Sequence, residues 1–478
     1  MITSERMAAV DRNAEALGVP RKQLMESSGN AVARAVRRLA DPGASIAVVA
    51  GRGNNGGDAL VAARFLDGYD LTVHLLGRPE TIATEIAREN WTALEAAECD
   101  AKTVTDSADI ALGDPEIVVD AMLGTGVTGE LREPEATAAE AINRADATVL
   151  AVDVPSGVDA DTGEAAGRSV DADHVVTFHD DKPGLASVDA DVTVAEIGIP
   201  QAAERFTGPG DLLALGRPEQ SHKGDFGEVL VVGGGPYSGA PALAAHAALR
   251  AGADLVRVAC PESIASEVQG YSENHILRPY DGTRLTPADV DRVLSLAADH
   301  DAVVVGPGLG SHAETLAAVG DFLSAYDGTA IVDADALQVV PEVETDATLL
   351  CTPHQGELQQ MGGETADDWR ARADLVAEFA ADLGHVLLVK GAYDVVADGD
   401  DRRVNRTGNP GMTVGGTGDV LAGAAGALAC VRSPFEAAAV AAYANGRAGD
   451  AAVDDNGYGL VASDLVDRLP AALREGDR

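Results

Sequence analysis

Residues 45–58 read SIAVVAGRGNNGGD, a short apolar run that passes directly into a turn with four glycines and two asparagines. Such a run, followed by the amphipathic stretch 58–67, is a strand entering a helix, the repeating unit of parallel sheets covered by helices. The same alternation extends outward in both directions. Strands are expected at 71–76, 116–121 and 148–153, with helices near 20–40, 80–97 and 133–145. Around 201–222 the periodicity lapses into a stretch with two Gly/Pro pairs, which reads as a domain junction. Beyond it, strands are expected near 228–233, 254–259, 302–306, 330–334, 347–351 and 385–390, and helices near 240–251, 286–299, 312–325 and 366–383. Residues 393–407 read as a hairpin turning at 398–401, and a long helical tail starts at 416. The fold class is therefore α/β in two domains, spanning 1–211 and 217–478 of the 478 residues.

Composition narrows the function. The 77 acidic against 35 basic residues give a formal charge of −42, which repels phosphate backbones and anionic membranes, so nucleic acid and membrane partners are not expected. Only five basic residues are lysines, and aspartates are spread through nearly every segment, a pattern that reads as adaptation to a salty cytoplasm. At molar salt the Debye length falls to about 3 Å and self-repulsion is screened. An ordinary acidic surface is the alternative. Cys99, Cys260, Cys351 and Cys430 lie far apart without C-x-x-C spacing, so neither a zinc knuckle nor a disulfide framework is expected. No apolar run spans a bilayer, and the N-terminus lacks signal-peptide order. The expected setting is cytoplasmic, with small-molecule substrates and self-association into a homo-oligomer.

The turn from Gly51 to Asp58 opens a helix, so backbone N–H groups and the helix dipole can hold a phosphate. It is neither a Walker loop nor a G-x-G-x-x-G fingerprint. Two further strand ends accompany it: Asp120 before Met122-Leu123-Gly124-Thr125-Gly126-Val127-Thr128-Gly129-Glu130, and Asp153 before Val154-Pro155-Ser156-Gly157-Val158-Asp159. Loops at the carboxyl ends of strands converge in open α/β sheets. Two carboxylates there can bind a cation, transfer protons, or divide the two jobs, and turn-capping is the structural alternative. Oxygen donors from Asn55, Asp120 and Ser156 suit a hard cation and favour potassium over magnesium.

Together, N-N-G-G-D, D-A-x-L-G-T-G and D-x-P-S-G-x-D resemble the NAD(P)H-hydrate epimerase family over most of residues 5–205. The resemblance implies interconversion of the C6 epimers of a nicotinamide cofactor hydrated on its ring. By position it implies that Asn54, Asn55, Gly56, Gly57, Asp58 and the run from Gly124 to Glu130 contact the hydrate. Asn55, Asp120 and Ser156 would hold potassium, and Asp153 would transfer the proton. Ala59 replaces a usual glycine, and the element His179-Asp180-Asp181-Lys182-Pro183-Gly184 keeps the family lysine and glycine among unusual acidic neighbours.

In the second half, Asn409-Pro410-Gly411-Met412-Thr413-Val414-Gly415-Gly416-Thr417-Gly418-Asp419 carries a glycine-rich turn into a helix, the geometry of an anion hole. A carboxylate one step past G-G-T-G is placed to accept a hydroxyl proton during phosphoryl transfer, so Asp419 is the candidate general base. Supporting turns are Gly306-Pro307-Gly308-Leu309-Gly310, Asp333-Ala334-Asp335-Ala336-Leu337, Thr352-Pro353-His354-Gln355-Gly356-Glu357 and Lys390-Gly391-Ala392-Tyr393-Asp394.

This series resembles a ribokinase-like fold. With Ser221-His222-Lys223-Gly224-Asp225-Phe226-Gly227 and the runs 237–241 and 251–256, it resembles more narrowly the NAD(P)H-hydrate dehydratase branch over about 220–470. That family removes the added water from the S epimer by phosphorylating its hydroxyl and expelling phosphate, and the resemblance implies ADP as co-substrate, giving AMP, with Mg2+ on its phosphates. By position Ala253, Gly308, His354 and Asp419 would contact the hydrate, and 390–394 with 409–418 the nucleotide. Asp394 stands where threonine is common, and Thr413-Val414 replaces alanine-threonine. The combined expectation is a Rossmann-like three-layer epimerase domain followed by a ribokinase-like dehydratase domain. Two alternatives are a hydroxymethylpyrimidine-type kinase fused to a non-catalytic domain, and a binding module like the related domain of messenger-RNA decapping scaffolds. Retention of Asp120, Asp153 and Ser156, with the strong negative charge, argues against the scaffold.

Overall fold

The computed structural model describes residues 1–474, so the last four positions of the 217–478 span lie outside it. The chain divides into two compact units, Met1–Ala203 and Glu204–Arg478. Residues 204–211, grouped with the first half when the junction is read from composition, pack with the second unit. Leu212 sits in that unit's core and Phe206 meets Trp369.

The first unit is a seven-stranded parallel sheet: β1 (Ser45–Ala50), β2 (Asp70–Leu76), β3 (Asp100–Val104), β4 (Ile117–Ala121), β5 (Thr148–Val152), β6 (His174–Phe178) and β7 (Asp191–Ala195), in the order β3-β2-β1-β4-β5-β6-β7. β1 is apolar from Ile46 to Ala50 because both of its faces are covered. Ile46, Val48 and Ala50 pack under one layer of helices, while Ala47 and Val49 pack under the other. The chain reverses its direction of travel between β1 and β4, so the crevice that opens there lies between their C-terminal loops.

The second unit is a nine-stranded sheet: β8 (Glu228–Val232), β9 (Leu255–Ala259), β10 (Ile276–Leu277), β11 (Ala302–Val305), β12 (Thr329–Val332), β13 (Thr348–Cys351), β14 (Val386–Val389), β15 (Asp394–Ala397) and β16 (Arg402–Asn405). Its order is β10-β9-β8-β11-β12-β13-β14-β15-β16. β8 to β14 are parallel, and β15 and β16 close one edge as the expected antiparallel hairpin. The switch point lies between β8 and β11. The tail from 416 is three helices, Thr417–Ala429, Pro434–Asn456 and Ala462–Ala472. The first break is written in the sequence as Ser433-Pro434 with Glu436, a capping box with proline at the first helical position. All four cysteines are free, and no helix among the described residues is long and apolar enough to cross a membrane.

Candidate active sites

In the first unit the helix Asn54–Phe65 begins four residues earlier than its amphipathic pattern indicates, so Asn54 to Gly57 form its first turn. The glycines there are demanded by close backbone approach. A Cβ at Gly51 would lie 1.8 Å from the Met122 carbonyl oxygen, and one at Gly56 2.0 Å from that of Gly51. The loops after β1 and β4 are thereby pressed together. Gly57 faces inward onto Met25, and its N–H donates to Gly53 O at 3.1 Å. The amides of Asn54, Asn55 and Gly56 have no acceptor among the described residues, as an anion-binding helix start requires.

Asn55 and Ser156 meet beside Asp120. Asn55 Nδ2 donates to Leu123 O at 2.8 Å, while Asn55 Oδ1 is buried and has no partner. Asp120 is fully buried; its Oδ1 accepts from the Ser156 hydroxyl at 2.7 Å and Met122 N at 3.2 Å, and its Oδ2 from Ser156 N at 2.8 Å. Burial pushes its carboxyl up to about 6, and the bonds from Ser156 and Met122 work against that rise. An orphaned buried oxygen next to a buried carboxylate and a hydroxyl is a donor set that fits a monovalent cation. Gly124 nests on the Asn55 side chain, whereas Gly126 to Glu130 are exposed beside a cavity of about 260 Å³ lined by Leu123, Val127, Thr128, Gly129, Gly157 and Glu164, among others.

Asp153 belongs to a separate cluster. It has φ +68°, an uncommon left-handed conformation for a residue with a side chain, and its Oδ1 accepts from Thr177 Oγ1 at 3.1 Å with Lys182 Nζ 3.3 Å away. Lys182 is fully buried. Asp58 is driven well above the usual carboxylate range by burial first, then by the charges of Asp153 and Asp11. Asp11 is itself raised to about 6, again chiefly by burial. Sequence reasoning passes over Asp11 and Thr177 and leaves Lys182 without a role. The helical spacing of Met7, Val10 and Ala14 is the signal that would have placed Asp11 on a helix.

The second site collects loops from β8, β11, β12, β13 and β14 at the C-terminal edge of the sheet. Gly306, at φ +129°, could carry no side chain, because a Cβ would fall 1.9 Å from Asp333 O. Asp333 is buried, and its Oδ1 accepts from Thr352 Oγ1 at 2.7 Å and from Lys390 Nζ at 2.9 Å. Lys390 Nζ also lies 3.8 Å from Glu357 Oε2 and 3.4 Å from where a Cβ on Gly418 would sit. The Lys390 ammonium thus stands over the first turn of the helix Thr417–Ala429. That helix follows Gly416 at φ +98° with no side-chain cap, and the amides of residues 415–419 have no acceptor among the described residues. Asp419 projects from this turn. Burial foremost, then the Asp333 charge, push its carboxyl up to about 7, with Lys390 opposing.

Several expected contacts are placed differently. Ala253 is buried in the core at the turn entering β9, the opposite edge of the sheet from the strand C-termini, so it cannot share a pocket with Asp419. Ala240, at the start of the same preceding helix Gly239–Ala251, is the alanine beside Gly308; a Cβ there would be 3.2 Å from Ala240 Cβ. The Asp394 carboxyl is spent on its own turn, accepting from Gly391 N and Asn405 Nδ2, each at 2.9 Å, and burial lifts it to about 6. Tyr393 stacks on Trp369 at 5.5 Å, while Gly391 and Ala392 are exposed. Asn409 caps Gly411 N and donates to Asp450, Met412 packs against the core, and the Thr417 hydroxyl returns to Met412 O, so these three side chains shape the loop. Pro410 and Gly411 lie in its 3₁₀ turn, with Thr413 and Gly415 exposed and Val414 half-buried. His354 Nδ1 accepts from Glu357 N at 3.0 Å, which leaves its exposed Nε2 edge beside a pocket of about 220 Å³ with Asp335, Gln338 and Gln360.

The NAD(P)H-hydrate dehydratase family matches residues 229–471, and the YjeF-related protein N-terminus family matches residues 21–184. The chain is 44% identical to the bifunctional NAD(P)H-hydrate repair enzyme Nnr of Methanothermobacter thermautotrophicus, over 98% of this chain and 95% of that one. It is 46% identical to the enzyme of the same name from Pyrobaculum aerophilum, over 99% and 98%. A solved structure of the ADP/ATP-dependent NAD(P)H-hydrate dehydratase from Bacillus subtilis, co-crystallized with ATP/Mg2+, is 28% identical with a TM-score of 0.49, covering 56% of this chain and 97% of that one. The expectation of two α/β domains, each built on a mainly parallel sheet, holds. The chain belongs to the bifunctional NAD(P)H-hydrate repair enzyme family.

Proposed function

We propose that the first unit equilibrates the R and S hydrates of NADH and NADPH through Asp153, and that the second dehydrates the S form at the expense of ADP through Asp419. The observation that carries the reading is the second site's charge layout. A half-buried carboxyl raised to about 7, a lysine, and a row of free helix-start amides stand together. Asp419 takes the proton of the hydrate's hydroxyl as the terminal phosphoryl group of ADP is transferred to it, leaving AMP. The amides of 415–419 and Lys390 hold the charge on the moving group. Phosphate then leaves with its C–O electron pair while a proton is lost from the adjacent ring carbon, and the ring double bond returns. Magnesium accompanies the ADP phosphates.

In the first unit, Asn55 Oδ1, Asp120 and the Ser156 hydroxyl would hold potassium, which supplies positive charge beside an anionic hydrate. Asp58 and the amides of 54–56 orient that hydrate, and Asp153 takes the proton of its C6 hydroxyl as the C6–N1 bond opens to an aldehyde and N1 gains a proton; closure of N1 on the other face of the aldehyde, with both protons returned, gives the other epimer. An enzyme specific for one epimer leaves the other stranded, which gives the two units a shared purpose. The acidic surface fits a protein that works in concentrated salt in the cytoplasm. The test is recovery of dihydronicotinamide absorbance from a mixed hydrate preparation with ADP in potassium chloride. Phosphorylation of a pyrimidine alcohol without that recovery would establish a kinase instead.

A further inference from the structure

We propose that Lys182 and Thr177 are positioning residues for Asp153, a two-step relay that holds its carboxylate in one orientation beside a fixed positive charge. The inference rests on Asp153 being the proton-transfer group of the first unit.

Lys182 Nζ donates to Thr177 Oγ1 at 3.0 Å, Phe178 O at 2.9 Å and Asp180 O at 3.0 Å. Three acceptors for one amine match the three donors of an ammonium. With its donors spent, the same nitrogen remains 3.3 Å from Asp153 Oδ1 as a fixed charge. Thr177 Oγ1 has a single hydrogen. Because it accepts from the ammonium, that hydrogen is turned to Asp153 Oδ1 at 3.1 Å, and the polarity of the chain Lys182 to Thr177 to Asp153 is set.

The frame is rigid. Thr177 lies fully buried within β6, which is paired on both sides, and Asp153 N donates to Val176 O at 2.8 Å. This anchoring sustains the left-handed Asp153 backbone, a conformation that otherwise costs about 1–3 kcal/mol. A lysine with no exposed surface is a poor packing choice, since desolvating its charge costs several kcal/mol and an apolar residue would fill the space better.

The groups facing Asp153 explain what the charge does. Asp11 comes from the helix Ser4–Ala16 and Asp58 from the helix Asn54–Phe65, both carboxyls; Lys182 is the counter-charge. The lysine charge opposes the repulsion of those two carboxyls at Asp153 Oδ1 and acts on Asp11 as well, where Arg21 joins it.

The experiment uses the full chain in molar potassium chloride, without ADP, starting from purified R epimer and following the S epimer by chromatography across pH. Thr177→Val keeps the shape and removes the hydroxyl; Thr177→Ser restores it. Thr177→Val is expected to lower kcat by roughly 10- to 100-fold with KM unchanged, and to move the acid limb of the profile up by about one pH unit, as for a lost bond to a charged group. Thr177→Ser is expected to stay within about threefold of the parent with an unmoved limb. Lys182→Met should move the limb in the same direction and further; if it does not fold, the Val and Ser pair decides. A Thr177→Val protein with parental rate and limb, or a Thr177→Ser protein as damaged as the valine variant, would overturn the relay. Asp153→Asn in the same assay separates the two levels. If it is inactive while Thr177→Val is normal, only the relay fails; if it exchanges normally, the role of Asp153 fails and the relay with it.

Discussion

Lys390 Nζ rests 2.9 Å from Asp333 Oδ1, on a buried carboxylate that also takes the Thr352 hydroxyl. The pairing fixes a positive charge over Gly418 and, one residue on, sets the electrostatics of Asp419. Asp333→Asn is therefore expected to lower dehydration by roughly 10- to 100-fold, because Lys390 loses its charged anchor. Removing the Asp333 charge also relieves a cause of the high Asp419 value, so the acid limb of the remaining activity moves to lower pH. A kcat–pH profile of the variant checks both effects.

Asp419→Asn should depress dehydration by about 10²- to 10⁴-fold, the usual worth of a positioned base. Epimer exchange, on the other unit, should be untouched. In the parent, dehydration should rise with pH through about 7, since the base must be ionised to act. Equal loss of both activities in the variant would contradict the division of labour.

The same carboxyl carries a stability cost. Its folded value lies above the unfolded one, so the folded state binds the proton more tightly and stability falls as pH rises from about 4 to about 7. Asp419→Asn should thus raise the Tm of the second unit more above neutrality than near pH 4, as calorimetry at several pH values would register.

Exchange of potassium for choline at constant ionic strength should slow epimer exchange and spare protein folding, with recovery on adding potassium. Asn55→Leu, which fills the place of the orphaned oxygen, should abolish that potassium dependence. Lowering total salt should separately reduce Tm, because 77 acidic residues are then unscreened.

Gly51→Ala puts a methyl 1.8 Å from the Met122 carbonyl, at the crossing of the β1 and β4 loops. Epimer exchange should be lost with a fall in stability of a few kcal/mol, while dehydration of pure S hydrate persists. Comparing the two activities in one preparation is the check.

Much of this was open to reading in one dimension. Buried strands such as β1, β4, β11 and β12 announce themselves because parallel strands covered on both faces are largely apolar, and glycine-rich or acidic turns sit at their ends. The edge strands β3 (DAKTV) and β7 (DVTVA) are half-exposed and carry no such run. Two-residue β10 has no pattern to detect. Within the sites, motif position locates Asp153 and Asp419 but says nothing about which side chains turn inward. Asp394 and Asn409 are consumed by their own turns, and Ala253 lies past the C-terminal end of the helix Gly239–Ala251, because local hydrogen bonding and helix length decide those outcomes. Lys182 stands among acids in the sequence with no role attached to it; only the packing of β6 against its neighbours reveals a buried ammonium.

The central claim is that one chain turns both hydrate epimers into dihydronicotinamide by spending ADP. Its most direct measurement is the product balance of a reaction started from pure R hydrate, with nucleotides, phosphate and dihydronicotinamide all quantified. The account requires one AMP and one phosphate for each dihydronicotinamide formed, and complete consumption of the R form. Dihydronicotinamide appearing without AMP, or AMP accumulating while the hydrate stays phosphorylated, would contradict it.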